Sequence, residues 1–339
     1  MKIDRTKLQQ VLETVKPGLA DTEIIEQTTS FAFKEGRVIT YNDEISISAP
    51  VEEIEFTGAV RAEELYKFLT KAPSEEVNIE LRESNELLLR SGNAKVGLPY
   101  QSEIKLPSSE SEKVEKWHNV PNSLFYGMDF CKFACSKDMS RPILTCINVQ
   151  KDGVVKASDG FRFTQYNIET ELPIKTFLIP STSVRPLVAT SATKMAETDG
   201  WVHFKDDDGR IFSSRTYAEN FPDTSPVSDV SGSTSLSFPD GLDKIIDRAR
   251  VFTRNQEGGI TIEIKDSKLF VCAEADSGWF EEWVTTKEDT ENLSFGVNPV
   301  FLQEALKHLQ KCLFIPKTKI SFAGKNWQHV VALRELGER

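Results

Sequence analysis

Leu8, Val11, Leu12 and Val15 recur at three- and four-residue intervals within DRTKLQQVLETVK (4–16), a spacing that predicts a helix with one apolar face. The same offsets return at Leu242, Ile245, Ile246 and Ala249 within PDGLDKIIDRARVFTR (239–254), and a looser stripe of Leu124, Met128, Cys131 and Cys135 lies between them in 122–137. A second series sets Leu65, Phe68 and Leu69, then Val184, Leu187 and Val188, then Leu302, Ala305 and Leu306 on helical segments 61–72, 181–197 and 298–311. Successive members of either series stand 116 to 119 residues apart. Ser181 is a candidate cap for the middle helix of the second series, and Asn298 followed by Pro299 is a strong start for the last.

Between the helical segments the period changes from about 3.6 to 2. VNIELRESNELLLRSGNAKVGL (77–98), WVHFKDDDGRIFSSRTY (201–217), ITIEIKDSKLFVCAEA (260–275) and KISFAGKNWQHVVAL (319–333) alternate apolar and polar residues around turn formers, as antiparallel hairpins do. The chain therefore reads three times as helix, strands, helix, strands. Ser-rich polar stretches at 107–116 and 224–235 read as linkers, giving expected domains at 1–113, 114–232 and 233–339 in an α+β fold.

Composition narrows the class. A chain of 339 residues exceeds one ordinary core, and no run of apolar residues is long enough to span a bilayer. The charged N-terminal stretch lacks the pattern of a secretory signal, and five cysteines without paired spacing fit reduced, buried thiols, so a cytoplasmic setting is expected. A net charge of −11 argues against nucleic acid if charge is spread evenly. It is not: each of the six helical segments carries one net positive charge, which leaves the rest of the chain strongly acidic. Two explanations stand at this point, ordinary solubility patterning and a helix-lined surface that faces a polyanion.

Catalytic constellations are weak. Ser158 beside Asp159 has no GxSxG elbow, and no GxxxxGK[ST] phosphate loop occurs. His308 and Cys312 could share a helix face as half a metal site, but no further ligands accompany them. Asp206, Asp207 and Asp208 before Gly209 lack the alternating ligands of a calcium loop and read as an acidic hairpin turn. No cofactor, metal or enzymatic activity is expected, although an α+β enzyme using Ser158, Asp159 or the turn of Asp206, Asp207 and Asp208 is an alternative.

Five stretches, in order, resemble the bacterial-type sliding clamp, the β subunit of DNA polymerase III, over almost the whole length. They are LLLRSGNAKVGLP (87–99), SRPILTCINVQKDGVVKASDGFRFTQYNI (140–168), YAENFPDTSPV (217–227), FGVNPVFLQEAL (295–306) and HVVALREL (329–336). The resemblance implies three similar domains, each with two helices on an inner face and antiparallel sheets outside, in a head-to-tail dimeric ring around double-stranded DNA. It implies a processivity factor whose partners are a replicative polymerase, a clamp loader and other proteins carrying linear motifs.

Position by position, the resemblance also implies a peptide cleft of Leu144, Ser158, Gly160, Phe161, Arg162, Phe163, Pro222, Val227, Val330 and Ala332. Apolar walls would bury anchors while Arg162 and backbone groups orient the peptide. Ring closure would set Val96 and Leu98 of one chain against Val251 and Phe252 of the next. Lys137, Arg141, Arg185, Arg248, Arg250 and Lys311 are the candidate DNA-facing residues, chosen by their place on or beside the helices. The chain departs from the family pattern at Phe161, usually His, at Phe163, usually Leu, and at Ala332 and Leu333, usually a Met/Pro-rich ending, which marks a divergent member. A clamp-like scaffold that binds proteins without encircling DNA is the second reading.

Overall fold

The computed structural model describes residues 1–107, 110–253, 258–286 and 292–335. Ser108 and Ser109 of the first expected linker, Arg254 of the segment 239–254 and the C-terminal residues 336–339 lie outside the described residues. Two compact units emerge: Met1–Phe125 with Gln150–Asp152 and Thr170–Glu219, and Tyr126–Val149 with Gly153–Glu169 and Asn220–Arg339.

Helices form on the apolar stripes but over shorter spans than the segments. They run Arg5–Val15, Ala62–Lys71, Leu124–Cys131, Val184–Val188, Leu242–Ala249 and Pro299–Leu306, and a four-residue helix, Ser225–Ser228, joins them. Asp4 caps the first by accepting from the Lys7 amide, and Asn298 caps the last by accepting from the amides of Val300 and Phe301. Ser181 makes no capping bond; it opens a 3-10 turn, Ser181–Ser183, that leads into Val184–Val188. Ser191, at φ 51°, then turns the chain into the left-handed region, and strand Lys194–Thr198 follows. Lys311 likewise opens a strand, Lys311–Ile315, instead of ending a helix. The positive charge of the segments therefore gathers at helix flanks, at Lys16, Arg61, Lys137, Lys194, Lys307 and Lys311, and the helix bodies are close to neutral.

In the first unit twelve strands form one antiparallel sheet. Ile45–Pro50 pairs with Ile211–Arg215, with Ile47 opposite Phe212, so residues of the first and second expected domains share a ladder. Leu8, Leu12, Leu65 and Leu69 bury the helices of this unit. At one place the sheet is open: Ala94–Gln101 pairs along its length with Glu86–Ser91, but on its other side it meets Gly58–Arg61 only at Tyr100 and Gln101.

The second unit holds two sheets. Strands Cys146–Val149, Val154–Ser158, Arg162–Asn167, Trp327–Ala332, Lys319–Ala323, Lys311–Ile315 and Thr234–Ser237 follow one another across the first. The second runs Gly278–Thr285, Lys268–Ala275, Ile260–Lys265, Leu293–Val297, with Gly278–Thr285 outermost. Leu242, Ile246, Leu302 and Leu306 pack with Ile262, Val271, Phe322 and Val331 in one core. On the outermost strand Trp279 and Trp283 are exposed at 73% and 50%, while Phe280 turns inward and stacks on Phe252. Both tryptophans thus lie on the face that the core does not use.

Asn298→Ala is expected to lower stability by about 1 kcal/mol in chemical denaturation. An unchanged midpoint would contradict a role for that cap.

Candidate functional site

Strand register assembles the site from segments far apart in sequence. Val154–Ser158 pairs with Arg162–Asn167 so that Ser158 lies opposite Phe163, and Phe163 in turn lies opposite Val330. On the next strand Ser321 lies opposite Val330 and Lys319 opposite Ala332. Directly opposed residues share a face, so one side of the sheet carries Ser158, Phe163, Val330, Ser321, Ala332 and Lys319. Leu144, from the 3-10 turn Pro142–Thr145, and the segment 221–227 rise beside it.

The resulting cavity holds about 400 Å³ and lies entirely within the second unit. Of the residues expected in a cleft, Leu144, Ser158, Gly160, Phe161, Arg162, Pro222, Val227, Val330 and Ala332 border it. Phe163 does not. It sits inside a strand with neighbours on both sides and is 1% exposed, whereas Phe161 sits in the turn, off the sheet, and is 66% exposed. Phe221, Asp223, Thr224, Pro226, Thr318 and Lys319 complete the lining. The alternation of KISFA could have pointed to Lys319, because Lys319 and Ser321 must share the face opposite to buried Ile320 and Phe322.

Ser158 and Asp159 build the turn. Ser158 Oγ donates to the Arg162 carbonyl (2.7 Å) and accepts from the Gly160 amide (3.1 Å). Asp159 Oδ1 accepts from the amides of Phe161 and Arg162, both at 2.9 Å. Gly160, at φ +90°, takes the left-handed conformation that lets the chain reverse there. These bonds consume the groups an enzyme would need free.

Arg162 is committed elsewhere as well. Its Nε donates to Asp159 (2.9 Å), its Nη1 to Glu304, and its guanidinium stacks over Phe301 with the cation 4.2 Å from the ring centre. Arg162 lies opposite Val331, a core residue, so its head group belongs to the far face of the sheet. Lys319 stays on the cleft face and donates from Nζ to the carbonyls of Pro226 (3.0 Å) and Val227 (2.8 Å).

Two histidines are buried and neutral. His329 is 1% exposed beside the cleft and hydrogen-bonds through Nδ1 to Thr164 Oγ1 (2.7 Å); burial, with the Arg162 charge and His308 adding to it, holds its pKa down to about 3. His203, bonded to Thr198 and Ser213, is pushed down to about 4 by burial. His308 lies past the end of its helix and packs on Phe130 and Trp327, while Cys312 is buried on a strand, so the two do not share a helix face. Asp206 accepts from the amide and Nε of Arg210, as a turn carboxylate does. Among the described residues no cluster of His, Cys, Asp and Glu could hold a metal ion.

The remaining candidates are scattered. Lys137, Arg141, Arg185, Arg248, Arg250 and Lys311 are all exposed. Arg248 makes a two-pronged bond to Glu282, with Nε 2.8 Å from Oε2, and Arg250 lies 3.7 Å from Asp247 and bonds Gln303. Arg141 stands over the cleft turn, its Nη1 3.7 Å from where a Cβ on Gly160 would lie. Val96 is half-buried and Leu98 buried on the open strand Ala94–Gln101; Val251 is 73% exposed and Phe252 half-buried against Phe280.

No protein-family profile matches the sequence, and no curated relative does. Solved structures do match. The DNA polymerase III β chain of Streptococcus pneumoniae superposes with a TM-score of 0.87 at 21% identity, covering 99% of both chains. The sliding clamp of Bacillus subtilis gives 0.84 at 20% identity over 99% of this chain and 98% of its own. The sliding clamp (DNA polymerase III subunit beta) of Pseudomonas aeruginosa, bound to griselimycin, gives 0.85 at 17% identity over 99% of both. The fold is that of the bacterial sliding clamps. Among the described residues no helix is long and apolar enough to cross a membrane.

Phe163→Ala is expected to cost about 3–5 kcal/mol of stability, and Phe161→Ala less than about 0.5 kcal/mol, in chemical denaturation. Equal losses would contradict the assigned burial. The unfolded chain protonates its histidines near pH 6.5, while folded His329 and His203 resist protonation until about 3 and 4. The unfolded state therefore binds more protons in this window, so stability is full above pH 6.5 and declines as pH falls toward 3. His329→Gln should flatten that decline; an unchanged slope would contradict the neutral buried imidazole.

Proposed function

We propose that the chain is a DNA sliding clamp, a protein without chemistry of its own that closes around duplex DNA as a pair of chains and tethers a replicative polymerase. The observation that carries this reading is the match of the whole chain to clamp folds. The apolar cleft, bordered by residues that the sequence resemblance nominated, supports it further. The three domains of such a clamp would be 1–113, 114–232 and 233–339, with double-stranded DNA passing along their helices.

A sliding tether must attract phosphate without gripping it, which calls for a weak and salt-sensitive positive field. Among the described residues Lys137, Arg185 and Lys311 have no carboxylate partner and would contribute most to that field. Arg248 and Arg250 would contribute less, because Glu282 and Asp247 offset them. Arg141 would serve the cleft as readily as DNA. Ring closure would pair the open edge of Ala94–Gln101 with the outermost strand Gly278–Thr285 of a second copy, backbone to backbone. Val96, Leu98, Val251 and Phe252 would then form an apolar cluster beside the new ladder.

Polymerase, clamp loader and other linear-motif proteins would compete for the cleft. With no phosphate loop in the sequence, the energy for ring opening would come from a separate loader. The near-neutral helix bodies favour one other reading, a clamp-like scaffold that binds proteins without encircling DNA. An enzyme using Ser158 and Asp159 is disfavoured by their engagement in the turn.

Light scattering over a dilution series is expected to find a stable species of twice the 38.2 kDa chain mass. Val251→Asp, which sets a charge into the apolar cluster, should shift it toward the single chain. A native protein that stays monomeric at the highest concentration would contradict closure by two copies.

A further inference from the structure

The sheet of Gly278–Thr285, Lys268–Ala275, Ile260–Lys265 and Leu293–Val297 gives one face to the core through Ile262, Ile264, Leu269 and Val271, and register decides what stands on the other. Trp279 lies opposite Glu274, Glu281 opposite Cys272 and Trp283 opposite Phe270, while Glu263 lies opposite Phe270 on the third strand. Directly opposed residues share a face, so three aromatic rings and three carboxylates occupy the outward side. Two of the rings already carry a cation of this chain. Lys268 Nζ lies 4.1 Å from the ring centre of Trp283, and Lys265 Nζ lies 4.7 Å from that of Phe270 and 3.5 Å from Glu263. Trp279 differs. It is 73% exposed, and among the described residues no Lys or Arg stands over its ring. Its neighbours on that face, Glu274 across the ladder and Glu281 two residues on, are exposed and, among the described residues, make no ion pair; the Cys272 thiol approaches Glu281 Oε2 at 3.8 Å. An indole between two unpaired carboxylates repeats, without the cation, the arrangement that Lys265 completes at Phe270 and Glu263.

We propose that this outward face docks a partner protein through an arginine, whose guanidinium stacks on Trp279 while its edge donates to Glu274 and Glu281. The fit is one of charge and shape. On a strand Glu281 stands about 7 Å along from Trp279, and Glu274 about 5 Å across, so a group lying on the indole has a carboxylate on each of two sides. A guanidinium is planar, presents a weakly hydrated face to the ring and carries five N–H donors around its edge. An ammonium is compact and strongly hydrated, which makes lysine the weaker ligand. Exposed tryptophan paired with arginine is also the commonest kind of energetic centre in protein interfaces. The site uses side chains of the outward face alone and leaves the edge backbone of Gly278–Thr285 to a second copy. It is separate from the apolar cleft and does not depend on the clamp reading.

The test uses the full chain with its five tryptophans labelled as 5-fluorotryptophan and read by fluorine NMR, the Trp279 line being assigned by its loss in Trp279→Phe. The probes are the blocked peptide acetyl-Gly-Val-Arg-Val-Gly-amide and two versions with lysine or uncharged citrulline in place of arginine. The arginine peptide should move the Trp279 line saturably, with an affinity about tenfold above the citrulline peptide and the lysine peptide between them. Glu274→Gln with Glu281→Gln should erase the tenfold difference. Glu52→Gln with Glu83→Gln, an equal change of charge at exposed residues of the first unit, should leave it intact. Equal binding of the arginine and citrulline peptides, or a Trp279 line that none of them moves, would overturn the proposal. An equal loss in both double variants would overturn it in favour of general attraction to an acidic chain. A Trp279 line that moves when the protein alone is concentrated, and is still in Lys95→Ala, would overturn it by giving the face to the exposed Lys95 of a second copy.

Discussion

Every strand in an antiparallel sheet must pair its backbone groups on both sides or leave one side to water, and the architecture of this chain follows from how that requirement is met. Ladders run through twelve strands in the first unit, and the pairing of Ile45–Pro50 with Ile211–Arg215 carries the sheet across what the repeat pattern divides into separate domains. Ala94–Gln101 in one unit pairs on its second side only at Tyr100 and Gln101, and Gly278–Thr285 in the other is an outermost strand. Short length, charge and bulges usually protect such edges. Here the open side of Ala94–Gln101 covers 94–99, Gly278–Thr285 is eight residues long, and Val251, Trp279 and Trp283 stand exposed in the second unit.

The same ladders make the cleft. Four strands bring residues 158, 163, 319, 330 and 332 onto one face, although half the chain separates the first from the last. Alternation then decides which side chains face the cavity and which the core. Arg162 and Lys319 exemplify it: the first turns to Glu304 and the aromatic rings behind the sheet, the second to the cavity.

Much of this was legible in the sequence. The apolar stripes of Leu8 to Val15 and Leu242 to Ala249 announced helices because a 3.6-residue period has few other meanings, and the Asn298–Pro299 start formed as expected. Helix ends were less legible: the stripes at 181–197 and 298–311 run on into strands, since Lys194 and Lys311 carry no signal of their own and tertiary pairing claims them. The charge segregation read from those longer segments softened accordingly. In the cleft, residue types at matching positions nominated most of the lining, but not depth. Phe161 and Phe163 differ by two positions and look alike in sequence, yet one stands in solvent and the other is buried among its neighbouring strands.

Retention on DNA of different topology tests whether two copies of the chain enclose DNA. The protein is incubated with nicked circular DNA at low salt, then filtered at a salt concentration that strips electrostatic binding. A topological link should keep protein on the circle and release it once a single cut linearises the DNA. Loss from circular and linear DNA alike, at the same salt, would contradict encirclement.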